Sequence, residues 1–343
     1  MRATPDALYT FIIRLLIAHG AGEAQAAAVA RHMVWCEMAG RGNFGVERLA
    51  ILIKRMQAGV LSGNGGMFWE ALAPGAARLD AGNGFGYDAA ERAMLRAVEL
   101  AKATGVGVAG VRNSNFFGAG AYYVNIAAHA GMIGLALSNS FPKVAAHGGI
   151  KAALGTNPLA FGAPRGNGRH LLVDMATSGL AGSTVRDHMA SGAPLPAGLA
   201  VAGDGQPITD PALVASGALL PFGGAKGFGL ALLVEVLAGV LTGAGTGAGV
   251  ASMYEDFNRG GDNGHLLLAI DISRWMSRAA FDARFETLVA AVRASGPATR
   301  LPGEMRWKAF ARAEREGVEL REEHWRAMVK LASAAGIPAI RED

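Results

Sequence analysis

Arg48, just beyond the turn Gly40-Arg41-Gly42-Asn43-Phe44-Gly45, carries the cation best suited to gripping a carboxylate, because a guanidinium fork matches that group with two parallel hydrogen bonds. Its plainer role is a surface helix charge. Asn43 in the turn, and Thr156 and Asn157 ahead of Pro158, offer hydrogen bonds to a substrate oxygen; the latter pair equally well shapes the turn before the proline. Two glycine-bearing stretches suit phosphate. Gly118, Ala119 and Gly120 precede an apolar helical pattern, where backbone amides can approach an anion, although a plain helix-starting turn reads the same way. Residues 221–229, with Gly224, Ala225 and Lys226, combine a flexible turn, a cation and a following helix, without P-loop spacing. An exposed loop lysine is the alternative. Residues 243–249 have a G-x-G spacing but follow an apolar helix, so a Rossmann reading fails.

The elements that must position these groups alternate between two patterns. Thr4-Pro5 reads as an N-cap with proline at the first helical position, and Leu8, Phe11, Ile12 and Leu15 share one face of a helix closed by Gly20. Further helices are expected from Glu23 toward Met38, over residues 46–59 and 230–241, and from Arg306 onward with Trp325 and Leu331 facing inward. Residues 106–111, 133–138, 159–163, 171–174 and 266–270 are short apolar runs bounded by breakers and read as buried strands. The coarse division is a helical segment over residues 1–75, a mixed α/β region over 76–300, and a helical segment over 301–343 that packs on the first.

Composition narrows the function classes. With 343 residues the chain can bury a large core, and its one cysteine, Cys36, forms no internal disulfide and reads as core. The longest apolar run is broken by Glu235, so no membrane span is expected; Arg14 interrupts the apolar N-terminal stretch, so no secretory signal is expected and a cytoplasmic location is. The formal charge of +4 is dispersed, without basic clusters flanked by aromatics. Nucleic acid is thereby disfavoured as a partner, and small anions are weakly favoured.

Several phrases, in order, resemble the type-2 malate/L-lactate dehydrogenase family, which includes ureidoglycolate and sulfolactate dehydrogenases and cyclic imino acid reductases. They are Gly45-Val46-Glu47-Arg48-Leu49, Val111-Arg112-Asn113-Ser114-Asn115 with Phe117-Gly118, Leu154-Gly155-Thr156-Asn157-Pro158, Asp174-Met175-Ala176-Thr177-Ser178, Thr209-Asp210-Pro211, the 223–229 loop and Leu301-Pro302-Gly303-Glu304. The resemblance spans nearly the whole chain. It implies a non-Rossmann, sulfolactate dehydrogenase-like α/β fold: a mixed-sheet domain binding NAD or NADP, a helical domain from both termini, and a homodimer. It also implies cofactor contacts at Gly118, Ala119, Gly120, Ser138, Asn139, Ser140, Asp174, Met175, Ala176, Gly224, Ala225, Lys226, Gly303 and Glu304, with no metal. Asp174 could equally anchor a strand end.

The chain departs from the family where proton transfer is expected. Hydride transfer to a carbonyl needs a proton donor within reach, and histidine is the common choice. The two family histidine positions are Phe44 and Phe116 here. Ala202 stands for a family aspartate, with Asp204 nearby, Leu52 for a tyrosine and Thr184 for a lysine. The catalytic acid is left unassigned; His147 and the Asp187-His188 pair are candidates with ordinary loop or helix roles. The resulting expectation is an NAD(P)-dependent reductase of an imino or 2-oxo acid that carries an apolar part, with Asn43, Phe44, Arg48, Leu52, Phe116, Thr156 and Asn157 around the substrate. The alternative is a nucleotide-binding protein without activity.

Overall fold

The computed structural model describes residues 1–340. Its helices are α1 (Pro5–Ala18), α2 (Glu23–Met38), α3 (Leu49–Gln57), α4 (Gly86–Thr104), α5 (Gly120–His129), α6 (Gly182–Ser191), α7 (Ala225–Val234), α8 (Arg278–Ala294), α9 (Glu304–Glu316) and α10 (Glu322–Ala334). Thr4 caps α1 by accepting a hydrogen bond from Ala7 N at 3.2 Å, and Pro5 opens it, as the N-terminal pattern predicts. Leu8, Phe11, Ile12 and Leu15 of α1 pack with Met33, Leu49, Trp325 and Met328 into one apolar cluster, so both chain ends build a shared helical cap. Two short strands, β1 (Arg2–Ala3) and β13 (Val318–Glu319), pair antiparallel and tie those ends together.

The seven-stranded sheet has the order β2 (Phe68–Ala73), β3 (Ala76–Asp80), β4 (Val106–Ser114), β12 (Asn263–Asp271), β5 (Met132–Ser138), β8 (Leu159–Ala163) and β9 (Leu171–Met175). Only the β3–β4 pair is parallel. This is a mixed sheet and not a doubly wound Rossmann sheet, in line with the expected fold class. The small-residue stripe Ala89, Ala90, Ala93, Ala97 and Ala101 lets α4 lie close on one face of the sheet, against Ala109 and Leu267. Val234 and Ala238 cover Leu137 and Leu266 on the other. The edge strand of this sheet, β2, precedes residue 76, so residues 1–75 hold the N-terminal cap helices and one sheet edge. A separate four-stranded sheet has the order β10 (Ala200–Val201), β11 (Ala218–Leu219), β6 (Val144–Ala145) and β7 (Ala152–Leu154).

Two expected helices differ in detail. Residues 46–48 form a 3-10 turn, and α3 starts only at Leu49. The cause is Glu37, whose carboxylate accepts Val46 N at 2.8 Å and fills the space above Gly45 that a side chain would need. The expected 230–241 helix is α7 followed by a π-helical turn, Glu235–Val240. Glu235 is buried there, taking hydrogen bonds from Asn157 Nδ2 at 2.7 Å and Gly247 N at 2.8 Å, which draws the backbone out of α register.

Candidate active site

The cleft lies between the cap and the C-terminal ends of β5 and β9, with a volume of about 320 Å³, within the range of small-molecule sites. The 3-10 turn Gly42–Phe44 supplies Asn43 and Phe44, the loop after β4 supplies Phe116, Phe117 and Gly118, and the end of β5 supplies Ser138, Asn139 and Ser140. Asp174, Met175 and Ala176 come from β9, Thr184 and Arg186 from α6, Tyr254 from the loop ahead of β12, and Arg306 from α9.

Phe44 and Phe116 both line this cleft, stacked with centroids 6.4 Å apart and planes 16° from parallel. Tyr87 meets Phe116 edge-on at 5.9 Å. This wall has apolar rings where the resemblance puts imidazoles. Arg48 is not a surface charge. Its side chain is 7% exposed, its Nε donates to Asn43 O at 2.8 Å, and Glu47 pairs with it at 3.0 Å. Its guanidinium lies 5.7 Å from the centroid of Tyr254. Glu37 underlies this turn, and burial pushes its carboxyl up to about 7, with Val46 N opposing and Glu47 adding to the rise.

The opposite wall is a network of fixed polar contacts. Asp174 Oδ2 accepts Ala121 N at 3.1 Å and faces the Arg306 guanidinium at 3.7 Å. Burial raises the Asp174 carboxyl and lowers the Arg306 guanidinium, and each partner's charge opposes the other's shift. Asn139 is wholly engaged, donating to Gly245 O at 2.7 Å and accepting Gly264 N at 2.9 Å. Ser138 Oγ meets His265 Nδ1 at 2.8 Å, and burial holds that imidazole down to about 3, so it is neutral.

The other expected positions divide. Thr156 lines the cleft, whereas Asn157 is buried behind it, its Oδ1 accepting Ser140 N at 3.1 Å. Leu52 is 2% exposed in the cap core and is not a cleft residue, because α3 turns it toward the other helices. Gly118 lines the cleft at φ +80°, where any side chain would overlap His32 Nε2. Ala119 and Gly120 lie behind it, and the first of them gives its amide to His32 Nε2 at 3.0 Å. Gly224, Ala225 and Lys226 start α7 away from the cleft, near the exposed His147. Gly303 abuts Leu172 and Glu304 pairs with Arg293 at 2.6 Å; neither lines the cleft. His188 bonds Ala193 O at 3.2 Å, and Asp204 accepts Gln206 N at 3.0 Å, both outside the cleft walls.

Sequence reasoning missed Arg41, Lys143, Arg186, Tyr254 and Arg306, all cleft-lining. For Arg306 the signal was available: it stands two residues after the Gly303-Glu304 phrase, in the first turn of α9. The others rest on long-range packing, such as Arg55, which donates to Asp256 O at 2.7 Å and pins the loop carrying Tyr254. Among the described residues no cluster of His, Cys, Asp and Glu could hold a metal ion, and no helix is long and apolar enough to cross a membrane.

A mixed-sheet domain under a two-ended helical cap, with the cleft between them, is the architecture of one group of dehydrogenases and reductases. The family described as malate/L-lactate dehydrogenase matches residues 3–329, and the chain belongs to that family. It is 34% identical over 324 residues to an L-sulfolactate dehydrogenase of Methanothermobacter thermautotrophicus, covering 94% of each chain. It is 35% identical over 333 residues to a Δ1-pyrroline-2-carboxylate/Δ1-piperideine-2-carboxylate reductase of Pseudomonas aeruginosa, covering 96% of this chain and 99% of that one. The solved sulfolactate dehydrogenase of Methanocaldococcus jannaschii superposes with a TM-score of 0.90 at 30% identity, over 99% of this chain and 98% of that one.

Proposed function

We propose that this protein is an NAD- or NADP-dependent reductase of a small 2-imino or 2-oxo acid with an apolar side group. The observation that carries the reading is the Phe44–Phe116 stack facing the cleft beside the buried Arg48. Arg48 would take the substrate carboxylate, held in place by Asn43 O and Glu47, and the two rings would take the apolar part. The donor set of the opposite wall fits a nicotinamide nucleotide: both intrachain contacts of Asp174 use Oδ2, leaving Oδ1 for a ribose hydroxyl, and Ser140 and Thr156 offer hydroxyls nearby. When bound, that group supplies the hydride. Exposed Arg41 and Arg186 add positive field for an anionic nucleotide and substrate.

A cyclic iminium acid suits this cleft because hydride addition neutralises its nitrogen without a separate acid. The pyrroline and piperideine carboxylate reductase among the relatives supports that substrate class. The second reading, nucleotide binding without turnover, is favoured by the same loss of imidazoles. Binding of NADH and NADPH by calorimetry, followed by turnover of Δ1-piperideine-2-carboxylate and pyruvate, tests both. Binding with imine turnover supports the reductase; binding with no turnover supports the second reading; absence of binding ends both.

We further propose a homodimer. On α7 and the following π turn, Leu232, Leu233, Val236, Val240 and Leu241 are 41–62% exposed, a contiguous apolar face of the kind that partners cover. Sedimentation velocity checks the mass.

A further inference from the structure

Reduction of an oxo acid, unlike that of an iminium, leaves negative charge on oxygen, so a proton donor is needed there. Of the cleft-lining side chains, the arginines carry guanidinium groups, which serve as hydrogen-bond donors and not as acids. Asp174 is committed to Ala121 N and Arg306 on the nucleotide side. Lys143 remains. Its backbone is fixed on both sides, with Lys143 N donating to Leu154 O at 2.8 Å and Lys143 O accepting Leu219 N at 2.9 Å, at the start of β6. The ammonium lies 5.0 Å from the centroid of Phe141 and 5.7 Å from that of Tyr254, the ring that Arg48 also approaches. The carboxylate anchor and the ammonium thus share one aromatic neighbour inside one cleft.

We propose that Lys143 is the proton donor for reduction of 2-oxo acids in this cleft, and that reduction of a cyclic iminium acid does not use it. The inference rests on the reductase reading above. In the step, hydride from a bound dihydronicotinamide forms the new C–H bond at C2, the C=O π pair moves to oxygen, and that oxygen takes a proton from Lys143. The products are the 2-hydroxy acid, oxidised nicotinamide and a neutral lysine, which regains its proton from solvent because the side chain is exposed at the rim. Desolvation against the rings lowers the Lys143 pKa from the usual lysine value; Glu255 opposes this and Arg186 adds to it. The Tyr254 ring also faces it, and Arg48 approaches that same ring.

The test compares Lys143→Met and Lys143→Arg with wild type on pyruvate and on Δ1-piperideine-2-carboxylate. Lys143→Met should lose about 10²–10⁴-fold in kcat on pyruvate and little on the iminium acid. Lys143→Arg, which keeps the charge without a releasable proton, should fail on pyruvate to the same degree. NMR titration of ε-labelled lysine in the nucleotide-free protein should give the signal lost in Lys143→Met an apparent pKa below about 10.4. Wild-type pyruvate turnover in Lys143→Met or Lys143→Arg overturns the assignment, as does equal loss on both substrates. Loss on pyruvate in Tyr254→Phe but not in Lys143→Met gives the role to the phenol and also overturns it. A wild type that reduces only the iminium acid refutes the donor and leaves the reductase standing; one that reduces neither refutes both.

Discussion

The two walls of the cleft are built by different rules. On the sheet side each polar group is tied to a second fixed element: Asn139 to the 243–249 loop and β12, Asn157 to Glu235, Asp174 to α5 and α9. On the cap side Phe44 stacks on Phe116, and Phe116 meets Tyr87 edge-on, across a half-open surface. A change on the first wall leaves buried donors without partners, whereas a change on the second mostly swaps one ring for another. The cap wall is therefore where chemistry can diverge while the fold and the sheet-side wall persist.

That contrast can be broken in four places. Glu235→Ala should have the largest effect, about 3–5 kcal/mol of stability by denaturant unfolding, because it takes the carboxylate partner from one buried N–H of Asn157 Nδ2, whose other N–H stays on Ala231 O, and from the half-buried Gly247 N. Gly118→Ala should follow at about 2–4 kcal/mol, since the residue is at φ +80° and its new methyl would meet His32. The paired change Phe44→His and Phe116→His should instead leave the melting temperature nearly unmoved and raise pyruvate reduction by about 10–10²-fold, with a new limb near the histidine pKa. A loss of fold from that pair, or a harmless Glu235→Ala, would reverse the comparison.

The smallest effect is a pH dependence beneath the cap wall. Glu37 has its folded pKa raised to about 7, so its contribution is fully present below the ordinary carboxyl pKa and is lost as pH rises through about 7. Glu37→Gln keeps an acceptor for Val46 N and removes the titration. Unfolding free energy between about pH 5 and 8 should fall in wild type by roughly 2–3 kcal/mol more than in the variant. Parallel curves would show that Glu37 does not titrate in that range.

The sequence made the periodic parts legible. The capped α1 and the apolar strands β4, β5, β8, β9 and β12 are found within a few residues of expectation, because burial on one or both faces writes a pattern into adjacent residues. The hairpin β2–β3 was not, since β2 is exposed throughout and carries little such pattern. In the site, the positions of Phe44, Arg48, Phe116 and Asp174 on one cleft follow from motif order, but Lys143, Arg186 and Tyr254 do not. Lys143 and Tyr254 are delivered by loops and Arg186 by the short helix α6, where contacts distant in the chain decide direction. Leu52 shows the reverse error: its motif position suggested the pocket, while the apolar face of α3 sends it into the cap.

The most direct measurement is the pH dependence of kcat/KM for wild-type reduction of Δ1-piperideine-2-carboxylate and of pyruvate, with NADH and NADPH. The cleft described here requires turnover of the iminium acid and, in Glu37→Gln, no limb of either profile from an enzyme group near the histidine value of about 6.5. Brisk pyruvate or malate turnover governed by an enzyme group in that range and unchanged in Glu37→Gln would mean an imidazole still does the work, and the aromatic wall would lose its meaning.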